Sequence, residues 1–314
     1  MTSKIVTLGE ILAEIMADVP GMGFLEPIAL TGPFPSGAPA IFISQAARMG
    51  APTAYVSAVG NDDFGRLNIA RLKADGVDVS AVRVDEQLPT GHAFVRYRPD
   101  GNRDFVYNIT HSASGTVRMT PEAERAFAEA GHLHVVGNSM FTADLRQMAE
   151  QAAREIKSRG GTVSFDPNLR KEMLSQPGLQ KAIENVLEYT DLFLPSGDEV
   201  FLGVETDNAE EAIAEHLARG VKAVVHKRGS EGASYFDGTQ TLRQAPFPAD
   251  EVDPTGAGDC FGGAFVSLWT AGTDPAEALR LAAAAGALAV MKRGPMSGAE
   301  TADVVRAFAD QHGS

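Results

Sequence analysis

One cysteine, one tryptophan and no long apolar run narrow the possibilities for this chain of 314 residues before any motif is considered. Cys260 alone cannot close an internal disulfide, so it reads as a small core residue, and packing must hold the fold. Basic residues are also scarce. The 27 Lys and Arg stand against 41 Asp and Glu, and the net charge of −14 excludes an extended nucleic-acid surface. No stretch approaches the ~18 apolar residues of a membrane span. Met1-Thr-Ser-Lys-Ile-Val enters a strand pattern where a signal peptide would need its apolar centre, so a cytoplasmic protein without a membrane partner is expected. Gly-x4-Gly-Lys-Ser/Thr is absent, which excludes a P-loop, and the His-Arg-Asp and Asp-Phe-Gly pair of protein kinases is absent too. Gly21-Met-Gly23 lacks the third glycine of a dinucleotide fingerprint. His132 and His134 share a strand face with no Cys or carboxylate neighbour, and read as strand residues rather than metal ligands.

What is present is an alternation. Apolar β-type runs at Ile5 to Leu8, Thr53 to Val59, Leu133 to Val136, Thr162 to Phe165, Leu192 to Leu194 and Ala223 to His226 are separated by segments of helical period. Those helical segments are Ala38 to Met49, Phe64 to Ala74, Thr142 to Ser158 and Ala209 to Ala218. The rhythm predicts an α/β fold: a doubly wound, mostly parallel sheet with helices on both faces and ligands at the carboxyl ends of its strands. One interval breaks it. His92 to Arg98 and Asp104 to Asn108 read as a hairpin about a Pro-Asp-Gly turn. Parts of 11–31 and 90–112 then form a small antiparallel β lid inserted in a single domain, 1–314.

The richest segment is Asp253-Pro-Thr-Gly-Ala-Gly-Asp259-Cys-Phe-Gly-Gly-Ala264, where a glycine loop runs into an apolar helix. Gly256 and Gly258 free the backbone to aim N–H groups at one point, and the helix start adds partial positive charge, so an anion is stabilised there. A carboxylate at such a point repels a phosphate. Asp259 therefore reads either as a first-turn acid or as the base that takes a proton from an attacking hydroxyl.

This string resembles the C-terminal signature of the ribokinase-like (PfkB) carbohydrate kinases, and the chain looks closest to their 2-keto-3-deoxygluconate kinase, fructokinase and tagatose kinase group. The resemblance implies an ATP-dependent sugar kinase in which Asp259 is the base and Gly256, Ala257 and Gly258 form the anion hole. It implies that Asp253 and Thr255 help hold a monovalent cation such as K+. The Asp166-Pro-Asn168-Leu-Arg170 string is frequent in sugar-acid and ketose kinases of the family, and it places Asp166 and Asn168 at the substrate and Arg170 at the transferring phosphate or sugar. Ser196 and Glu199 stand where relatives carry an Asn-x-x-Glu motif that organises water-bound Mg2+. Lys227, Gly229 and Gly232 fall along the expected ATP groove. A non-catalytic sugar-sensing relative would show a damaged Asp259 or loop; both are intact.

The sugar end departs from the family pattern. Ser36 and Gly37 match the first signature, but Ile41 takes its Asn position. Glu14 follows the first strand where relatives present a carboxylate to sugar hydroxyls. In the second lid strand, 2-keto-3-deoxygluconate kinases carry Phe-x-Tyr-Tyr-Arg, whereas this chain has Phe105-Val-Tyr107-Asn108-Ile109, followed by His111. Ile109 cannot pair with a carboxylate, so the expected substrate is a neutral ketohexose of fructose or tagatose type, bound by Tyr107 and His111 among others. The alternative is 2-keto-3-deoxygluconate, and a nucleoside is a more distant one. Apolar residues on the lid predict a homodimer formed through it.

Overall fold

The computed structural model describes residues 3–21, 23–98, 103–169 and 178–312. The expected turn about Pro99 and Asp100 and the expected site residue Arg170 lie outside them. Seven strands of one nine-stranded sheet run parallel: β1 (Ile5–Leu8), β4 (Thr53–Gly60), β5 (Val82–Asp85), β8 (His132–Val136), β9 (Thr162–Asp166), β10 (Leu192–Phe193) and β11 (Ala223–Lys227). Two antiparallel strands, β12 (Ala233–Phe236) and β13 (Thr241–Gln244), finish one edge. The spatial order is β13-β12-β11-β10-β9-β8-β1-β4-β5. Every residue of β1, β4, β8 and β11 is buried, as expected of parallel strands covered on both faces.

Helices cover both faces. Against one pack α1 (Ala38–Arg48), α7 (Ala257–Thr270), α8 (Pro275–Val290) and α9 (Ala302–His312), with Phe42, Cys260 and Phe265 in the core they enclose. Against the other pack α3 (Pro121–Glu129), α4 (Ala143–Ser158), α5 (Leu179–Tyr189) and α6 (Ala209–Ala218), closing over Phe127, Phe165 and Phe193. Each such side chain contributes about 1.5–3 kcal/mol on burial. Helix starts follow the local chemistry: Thr142 accepts from Leu145 N at the head of α4, and Asp274 accepts from Ala276 N just before Pro275 opens α8.

The second sheet has four strands, β2 (Leu12–Ala17), β3 (Leu30–Ser36), β6 (Gly91–Tyr97) and β7 (Arg103–Asn108), in the order β3-β2-β6-β7. Its two outer pairs are antiparallel, and β2 pairs with β6 in parallel. β3 extends past residue 31 to Ser36, because the segment must deliver Ser36 and Gly37 to the start of α1. The inner face of β6 carries the buried Ala93 and Val95. The outer face carries Phe94 beside Val106, which is 55% exposed.

Candidate active site

A cleft of about 1310 Å³ opens between the lid and the carboxyl ends of the parallel strands. Its walls bring together Glu14, Ser36, Gly37, Tyr107, His111, Asn168, Thr255, Gly256 and Asp259 from segments far apart in sequence. Glu10, Asn138, Phe141 and Arg103 also line it. Asn138 and Phe141 carry no motif; their only signal was that they follow a strand, β8, whose carboxyl end faces the ligand side.

The anion loop leads into α7. Gly256 caps that helix with φ 81°, and an added Cβ would sit 2.5 Å from the Pro295 carbonyl oxygen, so both backbone and space require glycine. No side chain caps the first-turn amides at Gly256, Ala257 and Gly258. Ala257 N makes a long bond to the Pro254 carbonyl oxygen at 3.4 Å, and helix-start amides lack an intrahelical acceptor, which leaves those of Gly256 and Gly258 for an anion. Asp259, one residue further, accepts from Asn168 Nδ2 at 3.0 Å. Burial, followed by the nearby Asp166 and Glu10 carboxylates, pushes the Asp259 carboxyl up to about 8, while Lys227 and the Asn168 bond pull the other way. A carboxyl of that strength becomes able to take a hydroxyl proton as pH rises through about 8.

Asn168 reaches Asp259 by an unusual backbone, φ 42°, a left-handed conformation that Asn tolerates better than most residues. Glu199 holds the segment in place: Oε1 accepts from Leu169 N at 2.7 Å and Oε2 from Ser196 N at 2.8 Å. Burial, then the Asp166 charge, pushes the Glu199 carboxyl up to about 7.

Asp166 and Lys227 lie deeper, buried beneath this layer and paired with each other rather than lining the cleft. An added Cβ on Gly258 would come within 3.9 Å of Lys227 Nζ, so the ammonium sits behind the anion loop. Asp166 Oδ1 is buried without a hydrogen-bond partner among the described residues. Burial raises its proton affinity against the pull of Lys227. Gly229 and Gly232 shape the turn from β11 to β12, next to the exposed Ser196, whose backbone bridges to Lys227. These two glycines also lie outside the cleft lining.

Asp253 and Thr255 are held by the lid. Asp253 is fully buried; its Oδ1 accepts from Tyr97 Oη at 3.2 Å and Thr255 N at 3.0 Å, and its Oδ2 from Gly294 N at 2.9 Å. Thr255 Oγ1 accepts from Arg103 Nη1 at 2.6 Å. A guanidinium on that hydroxyl disfavours a second cation at the Thr255 side chain, whereas among the described residues the Asp253 carboxylate accepts only from neutral donors.

At the sugar end, Glu14 is buried and accepts from Ser36 Oγ at 2.8 Å, and Glu10 accepts from Ser139 Oγ at 2.6 Å. Gly37 precedes α1 with φ 115°, where a Cβ would meet the Glu10 carbonyl oxygen at 2.5 Å. Ile41 packs against Gly256 at the cleft floor. Ile109 lines the wall, and Arg96 and Arg98 both pair with Asp104.

A glycine-rich helix start with a carboxylate of raised proton affinity in its first turn, under a β lid and at the strand ends of a doubly wound sheet, is an arrangement suited to a phosphotransferase that acts on small alcohols. Residues 3–302 match the pfkB family of carbohydrate kinases, and the chain belongs to that family. It is 36% identical to the 2-dehydro-3-deoxygluconokinase of Thermoproteus tenax over 93% of this chain and 89% of that protein. An E. coli protein with the provisional name ribokinase II, crystallised with ATP and Mg2+, superposes with a TM-score of 0.94 at 45% identity, over 99% of this chain and 100% of that one. A double-mutant fructokinase of Vibrio cholerae, bound to fructose, ADP and potassium ion, gives 0.80 at 25% identity, over 98% and 99%. The chain is accordingly an ATP-dependent sugar kinase with the ribokinase-like fold. Among the described residues no helix is long and apolar enough to cross a membrane.

Proposed function

We propose that this kinase transfers the γ-phosphate of ATP to a terminal primary hydroxyl of a neutral ketohexose. The observation behind this reading is the cleft wall: Ile109 takes the motif position of the carboxylate-gripping Arg, Arg96 and Arg98 share Asp104, and Arg103 is held on the Thr255 hydroxyl. Losing a charge-assisted contact to a desolvated acid costs on the order of 2–5 kcal/mol, enough to reverse a preference between substrates. Glu14 and Ser36, with Tyr107 and His111 from the lid, offer acceptors and donors suited to sugar hydroxyls. The similarity to the T. tenax enzyme favours a second reading, 2-keto-3-deoxygluconate.

In the proposed reaction the sugar hydroxyl lies beside Asp259, which takes its proton as the oxygen attacks the γ-phosphorus. The amides at Gly256 to Gly258 hold the phosphoryl oxygens, and ADP leaves toward the turn at Ser196 and Lys227 to Gly232. Mg2+ accompanying ATP neutralises phosphate charge when bound. Glu199 and Asp166, with its partnerless buried oxygen, are the carboxylates suited to holding its water shell. The decisive assay is ADP release over fructose, tagatose, 2-keto-3-deoxygluconate, ribose and adenosine. A kcat/KM highest for the sugar acid selects the second reading and leaves the kinase activity untouched.

We also propose a homodimer through the outer lid face. Phe24, Ile28, Leu30, Phe94 and Val106 line an apolar hollow of about 360 Å³ there, and a four-stranded sheet cannot cover both of its own faces. Sedimentation should show a dimer at micromolar concentration that Val106→Asp dissociates. A wild-type monomer would remove the proposal.

A further inference from the structure

Tyr97 and Arg103 face each other in the β6–β7 register, and both reach from the lid to the loop before α7. Tyr97 takes Asp253 and Arg103 takes Thr255, the residue next to Gly256. The lid therefore rests on the segment that forms the anion site.

Arg103 differs from the other cleft arginines. Arg96 and Arg98 share the Asp104 carboxylate, whereas among the described residues Arg103 pairs with no carboxylate. Among the described residues its hydrogen-bond partner is a neutral hydroxyl, so a half-buried guanidinium brings a positive charge to the mouth of the anion loop. The Phe105 ring, 5.8 Å from the guanidinium carbon, supports it from one side. Thr255 in turn is fixed through its own amide to Asp253. Phosphoryl transfer spreads negative charge over the equatorial oxygens of the group in transit, and fixed positive donors aimed at them are the main source of rate.

We propose that Arg103 is a catalytic residue carried by the lid, its guanidinium binding an oxygen of the transferring phosphoryl group when the lid rests on Thr255. The chemistry is complete only with the lid down, which keeps water from accepting the phosphate while the sugar site is open. The inference depends on Gly256 to Gly258 being the phosphoryl site. Asp259→Asn tests that assignment separately.

The experiment compares wild type with Arg103→Gln and Arg103→Ala, using ATP, Mg2+ and the sugar that the substrate panel identifies. For Arg103→Gln, kcat should fall about 10²-fold, the scale for removing one preorganised donor, with the sugar KM nearly unchanged. Millimolar guanidinium should restore part of the activity of Arg103→Ala, which a merely structural role would not allow. Affinity for ADP with Mg2+ and aluminium fluoride should fall in step with kcat, while affinity for ADP alone stays constant. A kcat at the wild-type level would overturn the proposal. So would a loss confined to the sugar KM, which would assign the guanidinium to the sugar, or a loss of kcat that guanidinium does not relieve.

Discussion

Asn168 donates to Asp259 at 3.0 Å from a backbone held at φ 42°. The amide favours the charged carboxylate and opposes the burial that raises the Asp259 proton affinity to about 8. It is a positioning contact, and the clamp of Glu199 on Leu169 N keeps it in place.

Replacing Asn168 by Ala should therefore move a pH profile. Asp259 acts only when unprotonated, so kcat/KM for the sugar should rise with pH along a limb centred near 8 in the free enzyme. Removing the donor leaves the charged form less favoured, and the limb should shift to higher pH with a smaller loss at the plateau. A limb that stays in place in Asn168→Ala would show that the amide does not act on the base.

Asp259→Asn should retain the fold and ATP binding and lower turnover by ~10²-fold or more, the scale of losing a general base. Single-turnover phosphate transfer with thermal unfolding as a control gives both readings. Near-normal turnover would leave Asp259 as a helix-start residue only.

The buried Asp166–Lys227 pair carries a different kind of risk. Removing one member strands a charge, so Asp166→Asn or Lys227→Met alone should each cost about 3–5 kcal/mol of stability. The double variant should recover much of that in denaturant unfolding. Additive losses in the double variant would show that the two groups do not act as a pair.

His132 and His134 both contact Ser164 Oγ, at 2.7 and 2.8 Å, and His134 stacks on Phe42 with centroids 3.5 Å apart. Burial lowers the His132 proton affinity to about 3 and that of His134 well below its ordinary 6.5. The unfolded chain then binds protons that the folded one refuses. Stability present above about 6.5 should fall as pH drops toward 3, and His132→Gln should flatten that decline in unfolding midpoints. An unchanged slope would mean that these rings do not set the acid sensitivity.

Sequence period was enough for the core. Strands such as Thr53–Gly60 are buried on both sides and read as unbroken apolar runs, and α1, α2 (Asp63–Ala74), α4, α6 and α8 show their faces in apolar spacing. The anion loop was equally plain, because its glycines, acid and helix are contiguous. Short or half-exposed elements were not: β13 has four residues with no fully buried position, and α3, α5 and α9 bury only part of their surface. Local pattern cannot report a contact between residues 152 positions apart, so nothing in the string showed that Arg103 rests on Thr255. The resemblance of their motifs assigns Asp166 to the substrate and Lys227 to the ATP groove. Only the three-dimensional packing shows that the two, 61 residues apart in sequence, also pair with each other behind the loop. Periodicity is a property of neighbours along the chain, whereas charge pairing and lid closure depend on which strand ends the sheet order brings together.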